Sequence, residues 1–336
     1  MPLVRFRIGI SNSLALNMTA VKYLVIFIPI LKPDKHRLIM IKIMSSPSFI
    51  ENFSQGDIQF SGLMQSWLIV FATIVVICFL VGELTRNYSQ VDKLWSIIPG
   101  IYSWITFAAF PSARLLIMAL LVTTWGLRLS YNFHRKGGYN IIPWKGEEDY
   151  RWKVMREKPA LKGRFRFGLF NLFFICFYQN LLILLFSSSL LIAAKYHEQV
   201  ISWLDIAAGI MMATFIIIET VADNQLFRFH QEKKNVQKVK PVYTSSLEKG
   251  FMTEGLWKYV RHPNFTSEQA IWISFYFFGV AASGRWINFT IIGPLLLVLL
   301  FIGSSQLTEN ISSSKYPDYA GYKKKVPRFF PGLSRH

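Results

Sequence analysis

The chain contains 336 residues, of which 52% are hydrophobic and 16% aromatic, more apolar side chains than a soluble core of this length usually needs. Its 37 basic and 19 acidic residues give a formal net charge of +18, which in a soluble protein would suggest a nucleic-acid partner. In a membrane protein, basic cytosolic loops account for most of such a charge. Composition therefore predicts a protein of the lipid bilayer with no nucleic-acid partner.

The first 57 residues allow two interpretations. Arg5, Arg7 and Lys22 precede a short apolar run, residues 23–31, a pattern compatible with a leader that is dispensable or removed during targeting. The alternative is a genuine extra helix. That helix would be short, and the basic residues after it would lie on the opposite side of the membrane from the later basic loops.

Residues 58–336 are predicted to form one transmembrane domain, because apolar stretches recur along them. Four stretches lack charged residues and are long enough to cross a bilayer of about 30 Å. They are residues 58–82, 94–113, 167–194 and 286–308. Three more stretches are interrupted or bounded by charged residues, and they are residues 115–133, 203–222 and 270–283. The fold class predicted is all-α, a polytopic transmembrane bundle of about seven helices.

The basic segments define a topology. Residues 128–166, 228–261 and 315–335 are rich in Lys and Arg, and two apolar stretches separate each adjacent pair. All three segments therefore fall on one side of the membrane, and the positive-inside rule makes that side cytosolic, the C-terminus included.

Several standard catalytic motifs are absent from the sequence: GxGxxG, a Walker loop, GxSxG and HExxH. The six histidines are dispersed and both cysteines, Cys78 and Cys176, lie in apolar stretches, so neither a metal site nor a disulfide framework is predicted. The remaining candidates are polar residues near the cytosolic ends of the helices. The first is Asp92, which precedes a span and could alternatively be a helix cap.

Two helices are predicted to carry polar faces. Arg128, Tyr131, Asn132 and Arg135 recur at helical spacing, although Tyr and Arg are also common as interfacial anchors. A second face combines the residues Glu219, Asp223 and His230. Because carboxylates inside an apolar helix are costly unless solvated or paired, this face predicts a cavity filled by water or a ligand.

The string GLWKYVRHPNFTSEQ is the most specific in the sequence. Pro263 suits a helix start, and Asn264 and Glu268 lie one turn apart on the same face. Polar groups at a helix N-terminus suit an anionic cofactor or a ribose. Near the end, Glu309 closes a span, and the tyrosines that follow it could form an interfacial belt.

Together, the blocks VDKLWSIIP, NFHRKGGY, ADNQLFRFHQ, RHPNFTSEQ and KYPDYAGYKKKVPRFFPG resemble the steroid 5α-reductase superfamily, and more closely its uncharacterised branch, over residues 60–333. The resemblance implies NADPH bound from the cytosolic side of a bundle of about seven helices. The cofactor-binding residues it implies are Arg135, Glu219, Asp223, Asn264 and Glu268, with His230 on the same face as the acidic pair. Glu219 stands where the family has Asn, which is a departure.

The resemblance also implies a reaction. Hydride would pass from the nicotinamide to the β-carbon of a lipid or sterol-like enone, while an acid and a hydroxyl stabilise the developing enolate. The catalytic candidates are Asp92, Tyr131 and Asn132, with Asn132 falling where the family has Tyr. The expected location is the endoplasmic reticulum membrane.

Two other functions remain open. Isoprenylcysteine and phospholipid methyltransferases share a similar RHP block, a late Glu and a VPRFFP-like ending, so Arg261, His262 and Glu309 would then contact S-adenosylmethionine and substrate. The upstream blocks favour the reductase, because the methyltransferases lack them. The second alternative is a noncatalytic lipid-binding membrane protein.

Overall fold

The structure, a computed structural model, describes residues 47–140, 142, 146–234 and 241–332. The chain divides into two compact units, Met1–Met64 and Gln65–His336. Of the predicted leader or extra helix at residues 1–57, residues 1–46 lie outside the described residues and residues 47–57 are helical. The second unit contains all of the candidate site residues.

The described part of the chain is built from helices. In chain order they are α1 (Pro47–Thr85), α2 (Gln90–Leu94), α3 (Ile98–Ala109), α4 (Ala113–Arg135), α5 (Tyr150–Glu157), α6 (Arg164–Phe170), a π-helical segment (Asn171–Tyr178), α7 (Gln179–Ser187), α8 (Ser189–Lys195), α9 (Trp203–Lys234), α10 (Thr244–Lys249), a 3-10 turn (Gly255–Lys258), α11 (Pro263–Ser283), a second 3-10 turn (Phe289–Ile291), α12 (Ile292–Lys315) and α13 (Tyr319–Lys325).

Five helical stretches among the described residues are long and apolar enough to cross a membrane. They are Asp57–Thr85, Ala113–Arg135, Arg164–Lys195, Trp203–Lys234 and Phe289–Lys315. The chain is therefore a multi-pass membrane protein, and the predicted all-α polytopic bundle is confirmed.

The other two predicted spans, residues 94–113 and 270–283, are not among these five stretches. The stretch 94–113 contains only the 12-residue α3, which is about 18 Å long and so shorter than a bilayer core. The chain turns before α3, and Pro99 lies in its first turn, where a missing N–H is tolerated. Helix α11 has 21 residues, but polar residues in its first half keep it below the apolarity of a spanning helix.

Local sequence signals explain the ends of the helices that build the site. Helix α4 begins after Ser112, whose hydroxyl accepts a hydrogen bond from Leu115 N–H. Helix α11 begins at Pro263 and ends at Gly284, which adopts a left-handed conformation (φ 68°) that glycine tolerates. Gly126 lets α4 approach the turn before α3, because a Cβ there would collide with the carbonyl oxygen of Ser96.

The core lies around α11, which packs against α4, α7, α8, α9 and α12. Its Trp272 is fully buried between Trp125 and Phe186, with ring centroids 4.9 Å and 4.0 Å away. Aromatic rings of this size fill the space between helices and contribute edge-to-face contacts. This packing fixes α4, α9 and α11 relative to one another.

A buried ion pair joins the starts of α4 and α9, at the ends remote from the basic loops. Arg114 Nε lies 2.7 Å from Asp205 Oδ1, and both side chains are 1% exposed. Arg114 also donates to the carbonyl oxygens of Gln199 and Val200. All three guanidinium nitrogens of Arg114 donate hydrogen bonds. The ion pair therefore acts as a structural connection between the two helices.

This pair generates a stability prediction. We expect Arg114→Met to lower the free energy of unfolding by about 3–5 kcal/mol, because it leaves the Asp205 carboxylate buried without its partner. The double variant Arg114→Met/Asp205→Leu should recover most of that loss. Thermal unfolding in detergent measures both, with the exposed Arg285→Met as the control. A single variant as stable as the wild type would contradict the structural role.

Candidate functional site

A cavity of about 260 Å³ lies between α4, α9, α11 and α12 on one side and the α2–α3 region on the other. Six of the polar residues that line it were predicted from the sequence. They are Asp92, Asn132, Glu219, Asp223, Asn264 and Glu268. The fold thus brings together residues that are spread over about half of the chain.

Arg128 contacts three of the carboxylates that line this cavity, although it is not itself a lining residue. Its Nη2 lies 2.8 Å from Glu219 Oε1, and its Nη1 lies 2.8 Å from Asp223 Oδ2. Glu268 Oε2 is 3.9 Å from the same Nη2. With all four groups ionised, one guanidinium faces three carboxylates, and each of these side chains is at most 10% exposed. The sequence placed Arg128 on the polar face of α4 but did not identify it as the link between three helices.

A network of amide groups extends from Asp223 toward the C-terminal end of α4. Asn132 Nδ2 donates to Asp223 Oδ2 at 2.8 Å, and Asn264 Nδ2 is 3.4 Å from Asp223 Oδ1. Arg135 donates in turn to Asn132 Oδ1 at 2.7 Å and to Asn224 Oδ1 at 2.6 Å. Both polar ends of the Asn132 side chain are therefore occupied within the protein.

Glu268 is held by two tryptophans. Trp125 Nε1 donates to its Oε2 at 2.8 Å, and Trp272 Nε1 donates to its Oε1 at 3.1 Å. Buried indole N–H groups require acceptors, so this carboxylate also supports the aromatic core. This second role was not predicted from the sequence.

Two acceptors on the wall of the cavity are unmatched within the described residues. Glu219 Oε2 and Asn264 Oδ1 are buried, and neither accepts a hydrogen bond. The Nε–H of Arg128 is unmatched as well. Since buried polar groups in native proteins are almost always paired, these atoms fit a ligand that offers hydrogen-bond donors.

The opposite wall is formed by Asp92 and by the start of α5, with Asp149 just before the helix and Arg151 in its first turn. Trp152 Nε1 donates to Asp92 Oδ2 at 2.8 Å, and Arg151 Nη2 lies 3.8 Å from Asp92 Oδ1. Burial raises the pKa of Asp92 above its ordinary range, against the opposing effect of Arg151. Arg151 is itself paired with Asp149 at 2.9 Å. Neither Asp149 nor Arg151 was predicted, because they follow Asp92 by about 60 residues in a polar loop.

Three predicted residues lie outside the cavity lining: Tyr131, Arg135 and His230. Tyr131 is 64% exposed, and its ring is 5.6 Å from the guanidinium carbon of Arg135. His230 is exposed near the end of α9. The helical spacing placed all three on faces that also carry lining residues, but none of them lines the cavity itself.

Three further predicted residues form a separate cluster that holds the C-terminal segment. Glu309 Oε1 accepts from Arg261 Nε at 2.8 Å and lies 3.0 Å from His262 Nε2. Arg328 Nη2 lies 3.3 Å from Glu309 Oε2. The backbone N–H groups of Arg261 and His262 donate to the carbonyl oxygens of Pro327 and Arg328. The RHPN string therefore divides: Asn264 faces the cavity, whereas Arg261 and His262 bind the tail.

The fold and site define a multi-pass helical membrane protein with a polar cavity at the junction of its spans. The chain matches the family described as "Protein of unknown function (DUF1295)" over residues 78–326, and it belongs to that family. It is 41% identical over 263 residues to an uncharacterized protein of Schizosaccharomyces pombe, an alignment that covers 74% of each chain. No solved structure matches the chain significantly.

The His262 cluster generates a prediction of pH dependence. Burial lowers the pKa of His262 below its ordinary value of 6.5, while the hydrogen bond to Glu309 acts in the opposite direction. The unfolded chain therefore takes up a proton at a higher pH than the folded protein. The stabilisation contributed by the buried, neutral His262 is complete above pH 6.5. It declines as the pH falls from there through the folded-state pKa of His262.

We expect His262→Gln to weaken the pH dependence of thermal unfolding between pH 7.5 and pH 5.5, by up to about 1.4 kcal/mol per pH unit. The control is His134→Gln, which changes an exposed histidine on α4. Identical pH profiles for the wild type and His262→Gln would contradict the assignment.

Proposed function

We propose that the protein is a membrane-embedded, NADPH-dependent reductase that adds hydrogen across the C=C bond of a lipid or sterol-like enone. The observation that carries the proposal is the pair of unmatched acceptors, Glu219 Oε2 and Asn264 Oδ1, in a cavity that also contains a cation. The resemblance of the sequence blocks to the steroid 5α-reductase superfamily supports it.

The charges in the cavity suit the two ends of a dinucleotide. Glu219 and Asn264 offer acceptors for amide N–H groups such as those of nicotinamide. Lys136 also lines the cavity, and its ammonium makes no hydrogen bond or ion pair within the described residues. A free cation at the end of a helix suits a phosphate group, including the 2′-phosphate that separates NADPH from NADH.

NADPH, when bound, supplies the hydride. The protein orients the substrate, provides a proton and excludes water from the cavity. Asp92 keeps its proton to a higher pH than an exposed aspartate does, because burial raises its pKa. Leu129, Leu300 and Phe301 provide apolar walls for a lipophilic substrate. The proposal includes the endoplasmic reticulum membrane and a cavity that opens toward the cytosol, as the basic loops imply.

A second candidate is an S-adenosylmethionine-dependent methyltransferase. The excess of carboxylates around Arg128 favours it, since a sulfonium and an ammonium would be attracted to that charge. Against it, the residues that the methyltransferase interpretation requires, Arg261, His262 and Glu309, bind one another and the C-terminal segment. We therefore rank it below the reductase.

Asn264→Ala tests the proposal directly. We expect it to weaken NADPH binding by about 1–3 kcal/mol, or about 5- to 150-fold, because a buried hydrogen-bond partner is lost. Isothermal titration of the detergent-purified protein measures the affinity, and the exposed Asn310→Ala is the control. Binding of S-adenosylmethionine but not NADPH by the wild type would replace the reductase by the methyltransferase. Binding of neither would leave the noncatalytic alternative.

A further inference from the structure

Gln179 is a buried polar residue that the site described above does not use. It is 5% exposed, and its side chain lines the cavity. Its amide makes no hydrogen bond within the described residues. A primary amide has two N–H donors and one acceptor, and leaving them unmatched inside a protein is costly. Gln179 lies near the middle of the spanning stretch Arg164–Lys195, so the cavity is where its amide can find a hydrogen-bond partner.

The local backbone determines where this amide lies. The π-helical segment Asn171–Tyr178 ends immediately before Gln179, where α7 begins. A π-helical segment changes the rotation of the residues after it, and such segments are frequent at functional sites. Gln179 thus follows a change of helical register inside a membrane span, and its side chain reaches the cavity.

The other amides of the cavity are committed elsewhere. The Nδ2 groups of Asn132 and Asn264 are both directed to Asp223. Asp92 accepts from Trp152, and Tyr131 lies outside the cavity. Among the lining amides of the described residues, Gln179 alone has both of its N–H donors unengaged, because Asn132 and Asn264 each direct one to Asp223.

We infer that Gln179 donates a hydrogen bond from Nε2 to the carbonyl oxygen of the substrate. The inference rests on the proposed function and names the group of the substrate that the cavity recognises. When a hydride, which the proposed function draws from NADPH, adds to the β-carbon of an enone, the C=C π pair shifts toward the carbonyl and the oxygen becomes an enolate oxygen. A proton, for which Asp92 is the acid of the proposed function, then adds at the α-carbon as the C=O bond forms again. A donor at that oxygen is stabilising in the transition state because negative charge develops there. Gln179 is therefore a catalytic residue as well as a specificity determinant.

The probe for this inference is radiolabelled β-ionone, a conjugated enone of modest size. Limonene, a hydrocarbon without a carbonyl group, serves as its counterpart in competition binding. We expect Gln179→Met to weaken β-ionone binding by about tenfold while leaving limonene binding unchanged, because Met lacks an N–H donor. Gln179→Leu, which is similar in size and also lacks an N–H group, should weaken β-ionone binding similarly.

The matched control is Tyr178→Phe, which removes a hydroxyl group from the adjacent residue, outside the cavity lining. It should bind both probes as the wild type does. Equal β-ionone binding by the wild type and both Gln179 variants would overturn the inference. So would a wild type that binds β-ionone no better than limonene, a measurement that does not depend on how any variant folds.

Measuring NADPH affinity on the same samples separates this inference from the proposed function. A wild type that binds β-ionone through Gln179 but does not bind NADPH overturns the reductase and leaves the carbonyl site standing. A wild type that binds NADPH, with β-ionone binding unaffected by the Gln179 variants, overturns the carbonyl site alone.

Discussion

The guanidinium of Arg128 lies among three carboxylates from two other helices, and the arrangement of the site depends on this interaction. A single buried charge is expensive inside a bilayer, so neither Arg128 nor Glu219 could lie there alone. Their 2.8 Å contact and the matching contact with Asp223 bind α4 to α9. Glu268 extends the cluster to α11, where two tryptophans hold its carboxylate. The helices that build the cavity are thus fixed by the same groups that line it.

With all four groups ionised, the cluster around Arg128 carries more negative than positive charge. The same part of the cavity has acceptors without donors. Lys136, which lines the cavity just after the end of α4, lacks an ion-pair partner within the described residues. A ligand with an uncharged donor group at one end and phosphates at the other matches both the unmatched acceptors and the unpaired Lys136. A cationic ligand such as S-adenosylmethionine matches the acceptors and carboxylates but not Lys136. This difference is the physical basis for preferring the dinucleotide.

Local patterns in the sequence predicted much of this arrangement. Apolar runs identified all five spanning stretches, although residues 94–113 and 270–283, also predicted as spans, are too short or too polar. Helical spacing placed Asn132 with Arg128 and Asn264 with Glu268. Contacts between distant segments were not predictable in the same way. Arg151 reaches Asp92 from a polar loop about 60 residues later, and Gln179 looks like an ordinary polar residue in an apolar span. Helical spacing also could not separate Asn264 from Arg261 and His262, because their division depends on the C-terminal segment.

Native mass spectrometry tests most directly whether the cavity beside Arg128 binds a dinucleotide. The detergent-purified wild type would be incubated with equal concentrations of NADPH and S-adenosylmethionine, so that the two ligands compete for the protein. The account predicts one NADPH per chain, bound in preference to S-adenosylmethionine. A mass shift that corresponds to S-adenosylmethionine, or no bound nucleotide at all, would contradict it.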